Sequence, residues 1–182
     1  MRPIPVPKGL ERDGVALRTM RARDAAPFAQ AFRDDPDLGI LVGAETDPSE
    51  HEARRYITRL PRLRARGVYL GLAITDATHK PFLGHVMLHT FDWHHRRAEV
   101  GYWLVPAARG KRMGRSAVGL LVDWAFHALE MERLEITTTP DNHAAQALAR
   151  ALGFEPEGIM RARNLERGRR VDVVLLARLR KY

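Results

Sequence analysis

Cysteine is absent from the 182-residue chain. That absence excludes disulfides, a thiol nucleophile carrying a covalent acyl group, and zinc sites built on thiolates. No apolar run approaches the roughly 20 residues needed to cross a bilayer. The first nine residues, MRPIPVPKG, intersperse prolines with apolar residues and lack the uninterrupted apolar centre of a secretory leader. The expectation is a soluble, cytoplasmic protein with a short extended arm over residues 1–12. Repeats, low-complexity segments and dividing linkers are also missing. Residues 13–182 therefore read as one domain, long enough to bury a proper core. Acidic residues are the scarcer charged class, 22 against 30 lysines and arginines, for a net charge of +8. The surplus favours anionic partners without choosing among phosphates, nucleic acid and acidic proteins.

Hydrophobic periodicity supplies the elements. Val15–Thr19 reads as a strand, followed by a helix near Asp24–Arg33 in which Ala25, Phe28, Ala29 and Phe32 recur at helical spacing. A second helix starts at Ser49, where Ser49 and Glu52 have capping-box spacing, and Pro61 is expected to kink or divide it. Val68–Thr75, Phe82–His89 and Ala98–Val105 read as successive strands, the last two separated by a turn over Asp92–Arg97. Gly114–Glu130 is apolar on nearly every side and is predicted to be a buried helix. Leu134–Thr138 is the next strand, then a helix over Asn142–Leu152 closed by Gly153, then strands Phe154–Met160 and Val171–Ala177 joined by a polar hairpin. This order predicts an α/β (α+β) domain, a mixed, mostly antiparallel sheet with helices on both faces.

The most informative stretch is Glu99–Ser116, EVGYWLVPAARGKRMGRS. A strand runs through a glycine-bearing loop straight into the buried helix, and such a junction presents unpaired N–H groups and partial positive charge to an anion. Gly110 and Gly114 would let backbone approach a phosphate, and Arg109, Lys111, Arg112 and Arg115 add charge. The Walker pattern fails because Gly110-Lys111 is followed by Arg112. The dinucleotide fingerprint fails for want of its third glycine and its later acidic residue.

RGKRMG, Arg109 to Gly114, resembles the Arg/Gln-x-x-Gly-x-Gly/Ala motif that cradles the coenzyme A pyrophosphate in the GNAT superfamily, with Arg112 in place of the middle glycine. Ala98–Leu104, AEVGYWL, is similar to a strand of RimJ/RimL-type acetyltransferases. NHAAQALARALGF from Asn142 and GIMRARNLERGRRVDVVLLA from Gly158 are similar to their later helix and closing hairpin. Weaker likeness reaches Leu17-Arg18 and Arg23-Asp24. The resemblance implies a single GNAT domain that moves an acetyl or other short acyl group from acyl-coenzyme A to a primary amine, without a metal. It implies that backbone around Leu104 and Val105 meets the thioester. Arg109, Gly110, Lys111, Arg112, Met113, Gly114 and Arg115 would hold the pyrophosphate, with Asn142 beside the cofactor.

Direct attack on a thioester needs a neutral amine, so a base is required, and Glu99 is the candidate. Its simpler reading is a half-exposed strand residue, and Asn142 reads equally as a helix cap. His85, His89, His94 and His95 with Asp92 hint at a metal site, against which stands the lack of an acidic helix pair. Two family features are missing: the serine that protonates the leaving thiolate is Ala145, and the hairpin carboxylate is Asn164. Two non-enzymatic readings stay open, a regulatory acyl-coenzyme A-binding domain and a basic ribosome- or RNA-associated module. The acceptor is expected to be a small molecule or peptide amine, acidic if the arginines of the second helix and hairpin line its site. No membrane or nucleic-acid partner is expected, and a homodimer is left open.

Overall fold

The computed structural model describes residues 2–41, 47–166 and 168–181. Its strands are β1 (Leu10–Arg12), β2 (Val15–Thr19), β3 (Leu70–Asp76), β4 (Gly84–Asp92), β5 (Arg97–Leu104), β6 (Arg133–Thr138), β7 (Glu155–Glu166) and β8 (Arg169–Leu179). They form one sheet in the order β1-β2-β3-β4-β5-β6-β8-β7. Every neighbouring pair is antiparallel except β5 and β6, which run parallel because α4 crosses between them. The helices are α1 (Ala25–Asp34), α2 (Leu38–Leu41), α3 (Glu50–Ala65), α4 (Met113–Ala128) and α5 (His143–Ala151).

Strand alternation divides the apolar residues between two faces. Leu70, Leu72, Ile74, Val86, Leu88, Ala98, Val100 and Leu134 pack beneath α4, whose Ala117, Val118, Leu121, Val122 and Ala125 are almost fully buried. The opposite face carries α1 and α3 over a smaller cluster of Phe28, Phe32, Ile57, Phe82 and Trp103. There Phe28 and Trp103 meet edge-to-face at 5.2 Å, a favoured aromatic geometry. Helices thus cover both faces, as the sequence predicts.

Three details differ from the sequence reading. The N-terminal arm is built into the domain: Leu10–Arg12 pairs with β2 as the edge strand, and Ile4 is fully buried. Arg64 holds that arm by donating to the Ile4 carbonyl at 2.6 Å. Pro61 does not divide α3, which runs unbroken from Glu50 to Ala65. Pro61 lies on the exposed side of the helix, where it removes one backbone donor without ending the helix. Finally, β7 and β8 reach further than their apolar cores suggest, because backbone pairing carries the hairpin past its last buried side chain.

The residues Arg18 and Asp24 form a buried bidentate pair, at 2.7 and 2.8 Å. Asp24 also accepts the Arg21 N–H, and Arg18 donates to the His79 carbonyl. Burial alone would raise the Asp24 pKa, but Arg18 and the Arg21 N–H outweigh it and hold the carboxyl below its ordinary value. The pair fixes where the chain leaves β2 for α1, and so where the smaller helical face begins.

Candidate active site

Parallel pairing of β5 with β6 covers only Arg97–Glu99 against Arg133–Glu135, although β5 continues to Leu104 and β6 to Thr138. Beyond Glu99 the strands part and open a wedge in the middle of the sheet. Ladder alternation decides which backbone groups face it. The Val105 N–H donates to Leu83 at 3.0 Å, so Trp103 and Gly101, in phase with it, also bond toward β4. The N–H groups of Tyr102 and Leu104 therefore turn to the wedge. Of the two residues expected to meet a thioester through backbone, Leu104 faces the opening and Val105 has its N–H already committed.

The glycine-bearing loop sits where this wedge is widest. A Cβ on Gly114 would lie 3.1 Å from Leu148 of α5 and 3.3 Å from Leu104 of β5, so glycine is what lets the start of α4 press between them. Gly110 works differently, with open space around it and a φ of +73° that glycine adopts freely. Arg112 occupies the αL conformation at φ +59°, a region that glycine adopts without strain, and offers no side-chain cap. Ser116 makes the first intrahelical bond, to Arg112, leaving the N–H groups of Met113, Gly114 and Arg115 without helical partners.

Lys111, Arg112 and Arg115 are exposed and, among the described residues, have no ion-pair partner. Arg12, Lys111, Arg112 and Arg115 wall an adjoining groove of about 540 Å³. Arg109 is placed otherwise. Its guanidinium donates to the Leu104 carbonyl at 2.9 and 3.1 Å and pairs with the carboxylate of Asp35, which is largely buried. It staples the loop to the end of β5 instead of standing free for a phosphate, and nothing in the sequence marked Asp35 as its partner.

Glu99 lies at the apex of the wedge, on the face covered by α1 and α3, with 17% of its side chain exposed. Thr137 of β6 donates its hydroxyl to Oε1. Oε2 faces the Nδ1 of His89 at 3.9 Å. Burial draws the His89 pKa below its ordinary value while Glu99 pulls it upward. The ring stacks on Tyr69 at 6.4 Å. Tyr69 bonds to Tyr56 at 2.7 Å, Tyr56 to His85 Nε2 at 2.8 Å, and His85 Nδ1 to the Leu72 carbonyl at 2.8 Å. A carbonyl only accepts, so Nδ1 carries the proton and Nε2 receives the Tyr56 hydroxyl. Burial pushes His85 down to about 4 and Tyr69 up to about 12. His85 has both nitrogens committed, and His94 and His95 lie in the distant β4–β5 turn, where His95 pairs with Asp92. The histidines do not converge, and among the described residues no group of three metal-ligating side chains does.

Asn142 caps α5, its Oδ1 accepting the Ala145 N–H at 3.1 Å. The structure thus gives Asn142 the role of a cap, and α5 starts just past the end of β6. On the hairpin, Asn164 is exposed opposite Val171, and the strand bulges between Met160 and Asn164. The nearby acid Asp172 is spent on that bulge, accepting the Ala162 N–H at 2.7 Å. Of the arginines expected near an acceptor, Arg55, Arg59 and Arg62 are exposed, away from the α3 stripe of Ala53, Ile57 and Leu60 that packs on the sheet, and Arg54 pairs with Glu50. The exposed hairpin arginines Arg161, Arg163, Arg169 and Arg170 have no ion-pair partner among the described residues, and Arg167 lies outside them.

Comparison with known proteins identifies the family and the fold. A family profile described as "Acetyltransferase (GNAT) domain" covers residues 15–155. The chain is 28% identical over 165 residues to "Uncharacterized N-acetyltransferase YoaA" of Bacillus subtilis (strain 168), covering 90% of this chain and 92% of that one. A crystal structure named "Probable acetyltransferase" superposes with a TM-score of 0.85 at 26% identity, over 92% of this chain and 94% of its own. The structure of RimL, a ribosomal L7/L12 alpha-N-protein acetyltransferase in complex with coenzyme A, gives 0.83 at 22% identity over 97% of both chains, a likeness of fold. The chain belongs to the GNAT acetyltransferase family, and is an acyl-coenzyme A-dependent N-acetyltransferase.

Proposed function

We propose that the chain acylates the amino terminus of a peptide or protein with an acidic leading segment, with Glu99 as the base. The observation that carries this reading is the wedge between β5 and β6, which has Glu99 at its apex and the unpaired start of α4 at its mouth. The thioester lies along β5, its carbonyl oxygen accepting from the N–H of Tyr102 or Leu104. Such fixed donors stabilise the oxyanion that develops as the amine attacks. The pyrophosphate meets the N–H groups of residues 113–115 together with Lys111, Arg112 and Arg115, and the adjoining basic groove takes the rest of the nucleotide.

The amine approaches from the α1 and α3 face, where Glu99 accepts its proton. An α-amine has an ordinary pKa of about 8, so a carboxylate of modest strength suffices near neutrality. The leaving thiolate, with a thiol pKa of about 8.5, departs without an obligatory acid, consistent with Ala145 in place of a serine. The four exposed hairpin arginines, without an ion-pair partner among the described residues, give the acceptor side a positive field, which favours negative charge near the amine.

Calorimetry with coenzyme A tests the cofactor assignment. Binding to wild type and at least a tenfold loss in Gly114→Asp are expected, because the new side chain brings bulk and negative charge to the phosphate cradle; equal affinity refutes it. Thiol release with acetyl-coenzyme A and matched acidic and basic peptides tests the acceptor. The acidic peptide should have the higher kcat/KM, by a margin that shrinks as salt rises; preference for the basic peptide refutes electrostatic selection.

A further inference from the structure

We propose that His89 is the second carrier of the proton that Glu99 removes, receiving it at Nδ1 and releasing it to solvent from Nε2. This rests on the reading of Glu99 as the base. Glu99 is mostly covered, and its two oxygens are not equivalent. Oε1 accepts from Thr137, leaving Oε2 to take a proton from the amine and directing it at His89. The 3.9 Å separation is too long for a hydrogen bond, and a movement of about 1 Å closes it.

The surroundings hold the imidazole for that transfer. One ring face lies on Tyr69, and the Tyr69–Tyr56–His85–Leu72 chain locks that tyrosine to α3 and the sheet. On the β5 side the ring packs closely against Gly101, where an added Cβ would lie 3.3 Å from His89 Nε2. Nδ1 lies 2.8 Å from the Thr90 hydroxyl, which donates to it at rest in the tautomer that this route requires; the hydroxyl must rotate its proton away before Nδ1 takes one from Oε2. With 29% of its side chain exposed, against 17% for Glu99, His89 is the better connected to water.

The titratable groups against the ring are Glu99 from β5 and Tyr69 from the segment entering β3, with Tyr56 of α3 behind it. Both tyrosines are held neutral by burial, so the carboxylate is the charge that His89 senses. Burial draws the imidazole toward its neutral, proton-accepting form. The protons balance. An N–H proton of the attacking amine passes to Oε2, then to Nδ1, giving an imidazolium and restoring the carboxylate; the Nε2 proton goes to water, and tautomer exchange through solvent completes the cycle.

The first test is a nitrogen-15 histidine titration by NMR on the free protein, wild type and Glu99→Gln, which needs neither acceptor nor cofactor. Neutral His89 should carry its proton on Nε2, and its midpoint should fall by about half a unit or more in Glu99→Gln, a roughly threefold loss of proton affinity. A proton on Nδ1 in the neutral ring, or an unmoved midpoint, overturns the proposal even if turnover is confirmed. The second test is thiol release from pH 6 to 9. His89→Ala should lower kcat about tenfold, keep its affinity for coenzyme A, and recover with added imidazole. A loss without rescue and without a changed pH profile assigns His89 a packing role. Failure of coenzyme A to bind wild type refutes the functional reading instead, and leaves the NMR result to decide the coupling.

Discussion

Replacing Arg112 by glycine should make the protein more stable. Arg112 holds φ +59° and ψ 2° at the entrance to α4. In that region a β-carbon crowds the following carbonyl, at a cost of about 1–2 kcal/mol. Glycine removes the cost but adds unfolded-state freedom worth roughly 0.5–1 kcal/mol. The expected net gain for Arg112→Gly is about 0.5–1 kcal/mol, and for a chain of this size each kcal/mol moves Tm by about 2–4 °C. Differential scanning calorimetry should therefore show a rise of roughly 1–4 °C.

Arg112→Ala separates backbone from side chain, because it keeps the β-carbon while removing the exposed guanidinium. Its Tm should stay within about 1 °C of wild type, since exposed substitutions usually change stability little. Coenzyme A titrations on the same proteins read the other half of the exchange. If the arginine is kept for its charge beside the pyrophosphate, both variants should bind coenzyme A several-fold more weakly, most clearly at low salt. A Tm for Arg112→Gly at or below that of Arg112→Ala would refute the strain argument. Unchanged affinity in both variants would refute the charge argument.

Glu99→Gln should lower kcat by roughly 10²–10⁴-fold while leaving coenzyme A affinity nearly intact; equal rates over pH 6–9 would return Glu99 to a structural role. His85 supplies a stability prediction with a definite sign. Its folded pKa of about 4 lies below the ordinary 6.5 because burial disfavours the cation, so between those values the unfolded chain binds the extra proton. Stability is full above about pH 6.5 and falls toward pH 4, by about 3 kcal/mol over the window. Urea midpoints measured at pH 7 and pH 4.5 should differ more for wild type than for His85→Gln, and equal shifts would exclude His85 as the titrating group.

Much of the architecture was legible because each element declares itself locally. The Ser49–Glu52 capping box, the helical spacing of Ala53, Ile57 and Leu60, and the all-round apolarity of α4 depend on periods of a few residues, and the structure places them where these signals point. The loop before α4 was legible for the same reason. Glycines at 110 and 114 serve backbone needs that are fixed within one turn, although one need is a left-handed φ and the other a close approach to Leu148 and Leu104.

What the sequence could not show is whatever depends on residues distant in the chain. The edge strand at Leu10–Arg12 is too short and polar to announce itself, and exists because β2 offers it an edge. Arg109 reads as one more cation beside a phosphate until folding brings Asp35 against it from 74 positions away. The capture of Glu99 by Thr137, its proximity to His89, and the tyrosine–histidine chain behind them follow from strand register and the docking of α3, which no local period encodes. Composition and periodicity marked the type and order of the longer elements and the glycine-bearing loop before α4, because those depend on near neighbours. Tertiary structure decided which of the marked residues stand free to bind and which are already engaged, because a side chain's availability is set by the partners that folding delivers to it.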